Sequence, residues 1–479
     1  MNQPIRSTAL RIVGLQVYLL PIQTRMPLKF GSETLTHVSC LRVRIQVANG
    51  VGTKAEGWGE TPLSVQWVWP SPIPYSTRAA TLERFVRFLA EKLARWEECG
   101  HAFELGVLLL EQALPGWLAL FNESEEHPLP YLASLLVASA FDLALHDAQG
   151  KVLGCDTYQT YSKELLPRPL SDFFSDPQVA ASFTGRYLPD FLVDQPPSEL
   201  MVWHLVGALD PLTTDEAAAI DPHDGYPVLL HDWIKTDGLQ CLKIKLKGND
   251  WDWDYNRLVQ VAKVGLPLGV RHLSADFNCM VRDPMYVADI LERLESEHPQ
   301  VWSALAYVEQ PFPYELAELE LDVRAIAHKK PLYLDESAHD WRHVRLGYQL
   351  GWNGVALKTC KTQTGALLSY CWARSHGMGI MVQDLTNPML AQIPHVRLAA
   401  HVGTAWGVES NAMQYYPDAS DLESLIHPGL YARRGGHLKL GSLAGLEGLN
   451  AGFGYLGAET CRPLPPPLVE LGPPGEFGS

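Results

Sequence analysis

The sequence predicts an α/β protein in which a smaller α+β domain precedes a TIM-type (β/α)7–8 barrel. In residues 10–62 apolar and polar side chains alternate as in an antiparallel sheet, and residues 82–151 have helical periodicity. From about residue 200 onward apolar runs recur, and the later ones are 23 to 33 residues apart. Such steps fit a strand, a crossover helix and two short loops, and eight such runs fit a closed barrel.

The chain divides into four predicted parts. The α+β domain takes residues 1–150, the barrel takes 151–415, and a C-terminal segment takes 416–462. Residues 463–479 are rich in Pro and Gly, so we expect this tail to be disordered.

Local patterns define the elements of the first domain. Leu10–Leu20 and Val38–Val47 alternate and are predicted strands. The apolar residues of Tyr131–Ala148 recur at helical spacing, which predicts an amphipathic helix. Residues 64–76 and 167–198 have no period, so we predict insertions or long loops there.

Composition argues against several partners. The formal net charge of −16 argues against nucleic acid and anionic membranes, because both repel an acidic surface. The apolar stretch Leu132–Ala144 is interrupted by Ser139 and Asp142, and no basic-then-apolar signal opens the sequence. The eight cysteines lack zinc-ligand spacing. We therefore expect a soluble, cytoplasmic protein without a membrane span.

Polar residues close most of the predicted barrel strands. The apolar runs end near Val206, Lys245, Asp276, Glu309, Glu336, Lys358, Asp384 and Glu409. In a barrel, catalytic residues stand at the C-terminal ends of different strands. The alternative is an open doubly wound sheet, which usually carries a Gly-rich phosphate loop after its first strand. No such loop precedes a helix in this sequence.

Three of these strand ends carry the carboxylates Asp276, Glu309 and Asp335. Each alone is more simply a helix N-cap or a loop residue. Together they would meet at one barrel mouth and repel one another, and a bound cation would relieve that repulsion. Oxygen ligands favour Mg²⁺, with Mn²⁺ possible, over zinc. Glu336 points to the opposite face if the strand continues, which indicates a supporting role.

Lysines lie on two sides of these acids. Lys243, Lys245 and Lys247 alternate with apolar residues, as in an exposed edge strand, but a closed barrel has no edge and would turn them inward. Near a cation and one another, their pKa values would be lowered, as a general base requires. Lys358 ends a strand four units later, across the mouth. Such lysines predict an enzyme that forms and quenches an enolate, by epimerisation or by one-base elimination.

These motifs, in this order and spacing, resemble the enolase superfamily, in the muconate lactonizing enzyme-like branch of the mandelate racemase/muconate lactonizing enzyme family. The resemblance covers most of residues 10–415. Its motifs are KIK at 243–245, ADFN at 275–278, VEQPF at 308–312, LDES at 334–337 and LKTCKTQTG at 357–365. The N-terminal stretches PLKFGSETLTHVSCLRVRI, GWGETPL and ASAFDLALHDAQGKVLG resemble the family's capping domain and the helix before its barrel.

The resemblance implies a role for each candidate residue. The implied metal ligands are Asp276, Glu309 and Asp335. The implied catalytic residues are Lys245 and Lys358 for acid/base work and Lys243 for electrostatic support, although a Lys245/Lys247 pair is an open alternative to Lys243/Lys245. The supporting residues are Asn278 and Glu336. Weaker substrate-binding candidates are Gln383, Asp384, Thr386 and Glu409.

The resemblance also implies a function. It implies a Mg²⁺-dependent lyase or isomerase that abstracts the α-proton of a small-molecule carboxylate to give a metal-stabilised enolate, of o-succinylbenzoate synthase, epimerase or cycloisomerase type. It further implies a capping domain completed by the C-terminal segment, a loop over the site at about 22–29, and a homo-oligomer. With this loop, Trp67, Trp69 and the 167–198 stretch would shape the substrate pocket.

Departures from the family's motifs bear on the substrate. Glu409-Ser410-Asn411 stands where dipeptide epimerases carry Asp-x-Asp, which weakens that assignment. A sugar-acid dehydratase is an alternative, but it needs a His on the seventh strand with an Asp on the sixth, where this chain has Gln383 or Asp384 and Lys358. A non-catalytic binding protein on the same scaffold is another alternative. The complete set of acids and lysines argues against it.

Overall fold

The structure is a computed structural model that describes residues 7–455 and 462–472. It contains a four-stranded antiparallel sheet and a closed barrel of eight parallel strands, to which one antiparallel strand is added. The predicted fold class, a TIM-type barrel with an α+β capping domain, is therefore confirmed.

The capping domain begins with an antiparallel meander, as predicted. Its strands are β1 (Leu10–Phe30), β2 (Glu33–Asn49) and β3 (Lys54–Pro62). β1 and β2 pair almost from end to end, with Leu10 opposite Asn49 and Phe30 opposite Glu33. The helical segments that follow the first three strands are Val65–Val68, Tyr75–Ala94, Ala102–Leu108, a π-helical turn at Leu109–Ala113, and Leu114–Asn122.

The helix Tyr131–Leu153 lies between the cap and the barrel. Every residue from Leu132 to Gly150 is buried, so the predicted amphipathic helix is buried on all sides. The reason is its position, because β2 and β3 pack on it from one direction and the barrel helix Gln363–Ser375 from another. By length and hydropathy, the helix Tyr131–Leu153 and the segment Ala102–Asn122 could each cross a membrane. The most apolar window of Tyr131–Leu153 is 94% buried within the protein, which is typical of a core helix.

Strand β3 touches this helix through glycines. A Cβ built on Gly57 would lie 1.9 Å from the backbone oxygen of Ala144, and one on Gly59 would lie 2.0 Å from that of Ala140. The helix presents alanines at four-residue spacing, and β3 presents glycines two residues apart, so the two backbones meet directly. This close approach fixes the cap sheet against the helix that leads into the barrel.

The barrel strands fall where the apolar runs predicted them. They are β4 (Glu199–Val206), β5 (Cys241–Lys245), β6 (His272–Asp276), β7 (Leu305–Glu309), β8 (Leu332–Leu334), β9 (Gly354–Leu357), β10 (Gly379–Val382) and β11 (Val408–Glu409). The last strand pairs with the first, with Val408 opposite Val202. This pairing closes the barrel and excludes an open doubly wound sheet.

Helices connect these strands around the outside. They are Thr214–Ala218 and Leu230–Asp237 after β4, Trp251–Gly265 after β5, Pro284–Glu297 and Pro299–Ala304 after β6, Leu316–Leu319 and Arg324–Ala327 after β7, Trp341–Gln349 after β8, Gln363–Ser375 after β9, Gln392–Val402 after β10, and Ala412–Tyr415 after β11.

The region 167–198 packs on the outer side of the barrel. It holds the short helical segments Leu170–Asp172, Pro177–Ser182 and Leu188–Asp190. Phe174 packs edge-on against Trp341 on the barrel surface. The stretch is expected to shape the substrate pocket, but it contacts the barrel helices and none of its residues lines the two cavities at the strand ends.

The C-terminal segment contacts both domains. The helix Asp421–Ile426 brings Glu423 to Arg42 of the cap. However, β12 (His437–Lys439) pairs antiparallel with the barrel strand β4. The segment is therefore shared between cap and barrel.

Part of the predicted disordered tail is a strand. β13 (Val469–Leu471) pairs antiparallel with Leu15–Val17 at the edge of the cap sheet. The Pro-rich composition favoured disorder, but an open strand edge on β1 pairs with the Val-Glu-Leu alternation. Residues 473–479 of the predicted tail lie outside the described residues.

The close approach of β3 to the helix can be tested by replacing two glycines, one at a time, with alanine. We expect Gly59→Ala to lower the free energy of unfolding by about 1–3 kcal/mol, because the added methyl group meets backbone. Gly116→Ala, where a Cβ meets nothing within 4 Å, should raise it by up to about 1 kcal/mol. Denaturant unfolding measures both, and equal effects would contradict the packing described.

Candidate active site

The barrel brings the three predicted metal ligands to one end. Asp276 ends β6, Glu309 ends β7, and Asp335 follows β8. In the strand register Lys245 lies opposite Asp276, and Asp276 lies opposite Glu309. Each of the three acids is at most 1% exposed. Aligned strand ends thus place three buried carboxylates side by side.

The ammonium group of Lys243 lies among these acids. It donates to Glu309 Oε1 at 2.6 Å and is 3.1 Å from both Asp276 Oδ2 and Glu409 Oε2. Burial lowers the pKa of Lys243, but Glu309, Glu409 and Asp276 outweigh burial and raise it well above its usual range. The lowered pKa expected from the sequence is therefore wrong for Lys243, because the carboxylates dominate its environment.

The charges at the mouth shift the pKa values of Asp276 and Glu309 in opposite directions. Burial raises the pKa of Asp276, but Lys245 and Lys243 outweigh burial and hold it below its usual range. Burial and the neighbouring Asp276 charge raise the pKa of Glu309 well above its usual range, against the attraction of Lys243. Of these two acids, Glu309 therefore takes up a proton first.

Lys358 approaches from the opposite side of the mouth, directly after β9. Its Nζ donates to the backbone oxygen of Asp384 at 3.2 Å and lies 3.4 Å from Asp335 Oδ2. Burial lowers the pKa of Lys358, but Asp335 outweighs burial and raises it. One turn later Lys361 donates to the backbone oxygen of Asp335 at 2.5 Å. Two ammonium groups thus face the third acid.

The register of the lysine pair follows from the end of β5. Lys245 is 6% exposed and donates to Asp276 Oδ2 at 2.5 Å. Lys247 lies beyond the strand, its side chain is 39% exposed, and it pairs with Asp250 at 3.2 Å. Lys243 and Lys245 therefore face the mouth, and Lys247 does not.

The two predicted supporting residues contact each other. Asn278 donates through its backbone N–H to Asp276 Oδ1 at 2.9 Å and through Nδ2 to Glu336 Oε1 at 2.9 Å. The indole of Trp67 donates to the same Glu336 oxygen at 3.1 Å. Burial, with the Asp335 and Asp276 charges, raises the pKa of Glu336 to about 7. Glu336 thus links the cap to the strand ends.

Three of the four predicted substrate-binding residues line a cavity above the lysines. Asp384, Thr386 and Glu409 are part of its wall, whereas Gln383 lies beneath it. Asn411 Nδ2 donates to Glu409 Oε1 at 2.8 Å and to Asp384 Oδ1 at 3.2 Å. Asn411, which stands where dipeptide epimerases carry the second Asp of Asp-x-Asp, therefore holds two acids of the cavity wall.

This inner cavity has a volume of ≈40 Å³. Its floor consists of Lys243, Lys245, Asp335 and Lys358, and its apolar cover consists of Leu28, Phe30, Leu35 and Trp67 from the cap. The ring of Trp67 lies 5.4 Å from Lys358 Nζ and 5.5 Å from Lys361 Nζ. An outer cavity of ≈790 Å³ shares Phe30 and Trp67 as walls. The cap thus shields the lysines from bulk solvent.

The predicted loop at 22–29 is a continuation of β1, with an irregularity between Gln23 and Leu28. Arg25 donates from Nε and Nη2 to the carboxylate of Asp224 at 2.6 and 2.7 Å. This pair fastens the stretch to the segment after β4 and places Leu28 over the inner cavity.

Two residues of the site, Gln310 and Lys361, were not predicted from the sequence as site residues. Gln310 Oε1 accepts from the backbone N–H of Asp335 at 2.8 Å and so orients that acid. The signal for Lys361 was present in the spacing of LKTCKTQTG, and Gln310 is part of VEQPF. Trp67, which the sequence predicts as a pocket residue, lines the inner cavity, but its hydrogen bond to Glu336 is not predictable. Its bond to Glu336 joins residues 269 apart in the chain, which no local pattern reveals.

The donor set fits a hard divalent cation. Three carboxylates supply the oxygen ligands that Mg²⁺ and Mn²⁺ prefer, and buried Asp335 Oδ1 has no hydrogen-bond partner among the described residues. No group of three His, Cys, Asp or Glu side chains in the described ranges is arranged to hold an ion directly. The Lys243 ammonium lies between Asp276 and Glu309 instead.

The fold and this centre define a TIM-barrel protein whose acids and lysines meet at the C-terminal ends of its strands. Residues 228–448, which contain the barrel strands β5 to β11, match the family described as "Enolase C-terminal domain-like". The resemblance to the enolase superfamily is therefore confirmed. No curated protein sequence matches the chain.

Solved structures share the fold over nearly the whole chain. A mandelate racemase/muconate lactonizing protein from Herpetosiphon aurantiacus has 18% identity and a TM-score of 0.59, over 93% of this chain and 98% of that one. A dipeptide epimerase from Enterococcus faecalis, complexed with Mg and a dipeptide, has 16% identity and a TM-score of 0.59, over 93% and 99%. Muconate lactonizing enzyme from Pseudomonas fluorescens has 15% identity and a TM-score of 0.56, over 92% and 96%.

The charge balance at the mouth can be tested without a substrate. We expect Lys243→Met to lower the free energy of unfolding at pH 8 by about 3–5 kcal/mol in metal-free buffer, because buried acids lose their cation. The loss should shrink as the pH falls, since Glu309 and Glu409 then bind protons more readily in the folded than in the unfolded protein. The side chain of Lys247 is partly exposed, so Lys247→Met should change the free energy of unfolding by about 0.5 kcal/mol or less. Similar losses in both variants would contradict this arrangement.

Proposed function

We propose that this protein is a Mg²⁺-dependent lyase or isomerase that removes the α-proton of a small-molecule carboxylate. One observation carries the proposal. Three buried carboxylates lie side by side at the barrel mouth, with Lys245 on the second barrel strand and Lys358 after the sixth, on opposite sides of the mouth.

The residues of the mouth divide into two groups by the chemistry that they would perform. Asp276, Glu309 and Asp335 would hold Mg²⁺, with Mn²⁺ possible, and the cation would offset the charge that develops on the substrate carboxylate. Lys245 and Lys358 would move the proton at the α-carbon from opposite faces. Lys243, held charged by three acids, would add fixed positive charge.

The cap makes this electrostatic chemistry effective. Leu28, Phe30 and Trp67 cover the inner cavity, and charge interactions are stronger where water is excluded. An α-proton beside a carboxylate is weakly acidic, so removing it depends on stabilising the enolate charge as it forms. A covered cavity floored by lysines suits this task.

The proposal includes epimerisation, cycloisomerisation and dehydration of the o-succinylbenzoate synthase type. Two lysines across the mouth permit all three. Asn411 is already bonded to Glu409 and Asp384, which argues against the dipeptide-binding role of Asp-x-Asp. A homo-oligomeric, cytoplasmic enzyme is part of the same proposal.

Deuterium exchange tests the chemistry directly. The protein is incubated in D₂O with Mg²⁺ and N-acyl amino acids, dipeptides, succinylbenzoate precursors and sugar acids, and α-protons are followed by NMR. We expect exchange in at least one acid, and a loss of at least about a hundredfold in Lys245→Ala or Lys358→Ala. Lys247→Ala, outside the mouth, should exchange like the unmodified protein. No exchange in any acid, together with no Mg²⁺ binding by calorimetry, would favour a non-catalytic binding protein.

The ligand set can be tested separately from catalysis. We expect Asp276→Asn to weaken Mg²⁺ and Mn²⁺ binding at least about tenfold by calorimetry, because it removes one anionic ligand. Asp283→Asn is the matched control, since Asp283 follows the same strand but caps the helix Pro284–Glu297. Equal affinities in the two variants would exclude Asp276 as a ligand.

A further inference from the structure

Gln383 lies under the inner cavity, directly after β10. Its side chain is 1% exposed, and it is absent from the wall formed by its neighbours Asp384 and Thr386. A substrate in the cavity would therefore touch these neighbours and the lysines, with Gln383 behind them. This position differs from the substrate-binding role predicted for it.

The amide of Gln383 joins both sides of the mouth. Its Oε1 accepts from Lys243 Nζ at 3.1 Å and from Lys358 Nζ at 3.3 Å. Its Nε2 donates to Glu309 Oε2 at 2.5 Å and to the hydroxyl of Tyr307 at 3.3 Å. The acceptor atom thus faces two cations and the donor atom faces an anion. A carboxamide matches both charges without adding one of its own.

The two lysines depend on this amide to different degrees. Lys243 also contacts three carboxylates, at 2.6 to 3.1 Å. Besides Gln383, Lys358 contacts the Asp384 backbone oxygen at 3.2 Å and Asp335 at 3.4 Å. Longer contacts, and contacts to neutral groups, restrain an ammonium group less than short contacts to carboxylates do. Loss of the amide should therefore disturb Lys358 more than Lys243.

We propose that Gln383 is a positioning residue that fixes the Lys358 ammonium relative to Glu309 for proton transfer at the α-carbon. The proposal rests on the function proposed above and deepens it. It makes proton transfer asymmetric, because Lys245 is held by Asp276 and not through Gln383. The face of the substrate served by Lys358 depends on the amide, and the face served by Lys245 does not.

The first test is structural and needs no substrate. Crystal structures of the unmodified protein, Gln383→Met and Gln383→Glu are compared. In Gln383→Met, which keeps the length but removes both polar atoms, we expect Lys358 Nζ to shift by about 1 Å or more, or to lose density, while Lys243 stays in place. Gln383→Glu keeps the acceptor for Lys358 and should hold it, with one proton shared between the introduced carboxyl group and Glu309 where the amide donor stood. An unmoved Lys358 in Gln383→Met would overturn the proposal.

The second test separates the two faces of the substrate. For an acid that the unmodified protein deuterates, exchange is measured on both stereoisomers, and Lys358→Ala identifies the one that depends on Lys358. Gln383→Met should slow exchange of that stereoisomer about a hundredfold, the size expected for a catalytic group misplaced by about 1 Å. Exchange of the other stereoisomer should slow less than about threefold, far less than the hundredfold loss expected for a misplaced catalytic group. Equal slowing on both faces would overturn the proposal.

Gln149→Met controls for the loss of a buried glutamine. Gln149 is fully buried in the helix Tyr131–Leu153, and its Oε1 accepts from the backbone N–H of Ala102, in the cap. It should change neither the position of Lys358 nor the exchange ratio. If the unmodified protein exchanges no acid, the proposed function fails, and the crystallographic comparison alone decides whether Gln383 positions Lys358.

Discussion

Charge balance at the barrel mouth is the constraint on which the rest of the site depends. Four buried carboxylates, those of Asp276, Glu309, Asp335 and Glu409, lie where the strands end. Unpaired, each would cost several kcal/mol to bury, an order of magnitude set by charge desolvation. The ammonium groups of the mouth compensate them, and only a parallel barrel brings acids and lysines from six different strands to one end.

The cap turns this balanced cluster into an enclosed site. It supplies the apolar cover and, through Trp67, a hydrogen bond to Glu336 at the strand ends. Its orientation is set by the backbone contact of Gly57 and Gly59 with the buried helix, and by the pairing of Arg25 with Asp224. Small changes at these contacts would move the cover relative to the lysines, so packing far from the strand ends governs the site.

The strand ends could be predicted because they repeat. An apolar run ends at or beside each of Asp276, Glu309, Asp335 and the lysines, and these runs recur at similar intervals along the chain. Because successive strands are neighbours in the barrel, their order in the sequence predicts their order around the mouth. Contacts between distant segments left no such signal. The strand Val469–Leu471 needs the open edge of β1, and the burial of Tyr131–Leu153 on all sides needs two domains at once. Composition and local period describe one segment at a time and miss both.

The contacts of the three lysines separate their roles better than their sequence spacing does. Lys243 is surrounded by carboxylates that keep it protonated, so it is suited to supply a constant positive charge and poorly suited to act as a base. Lys245 has one acid partner, and Lys358 is held by a mixed set of weaker contacts from the ends of two strands, β8 and β10. A group that must pass a proton to carbon has to leave its resting partners. The number and strength of those partners therefore divide the cluster into a fixed cation and two transfer groups.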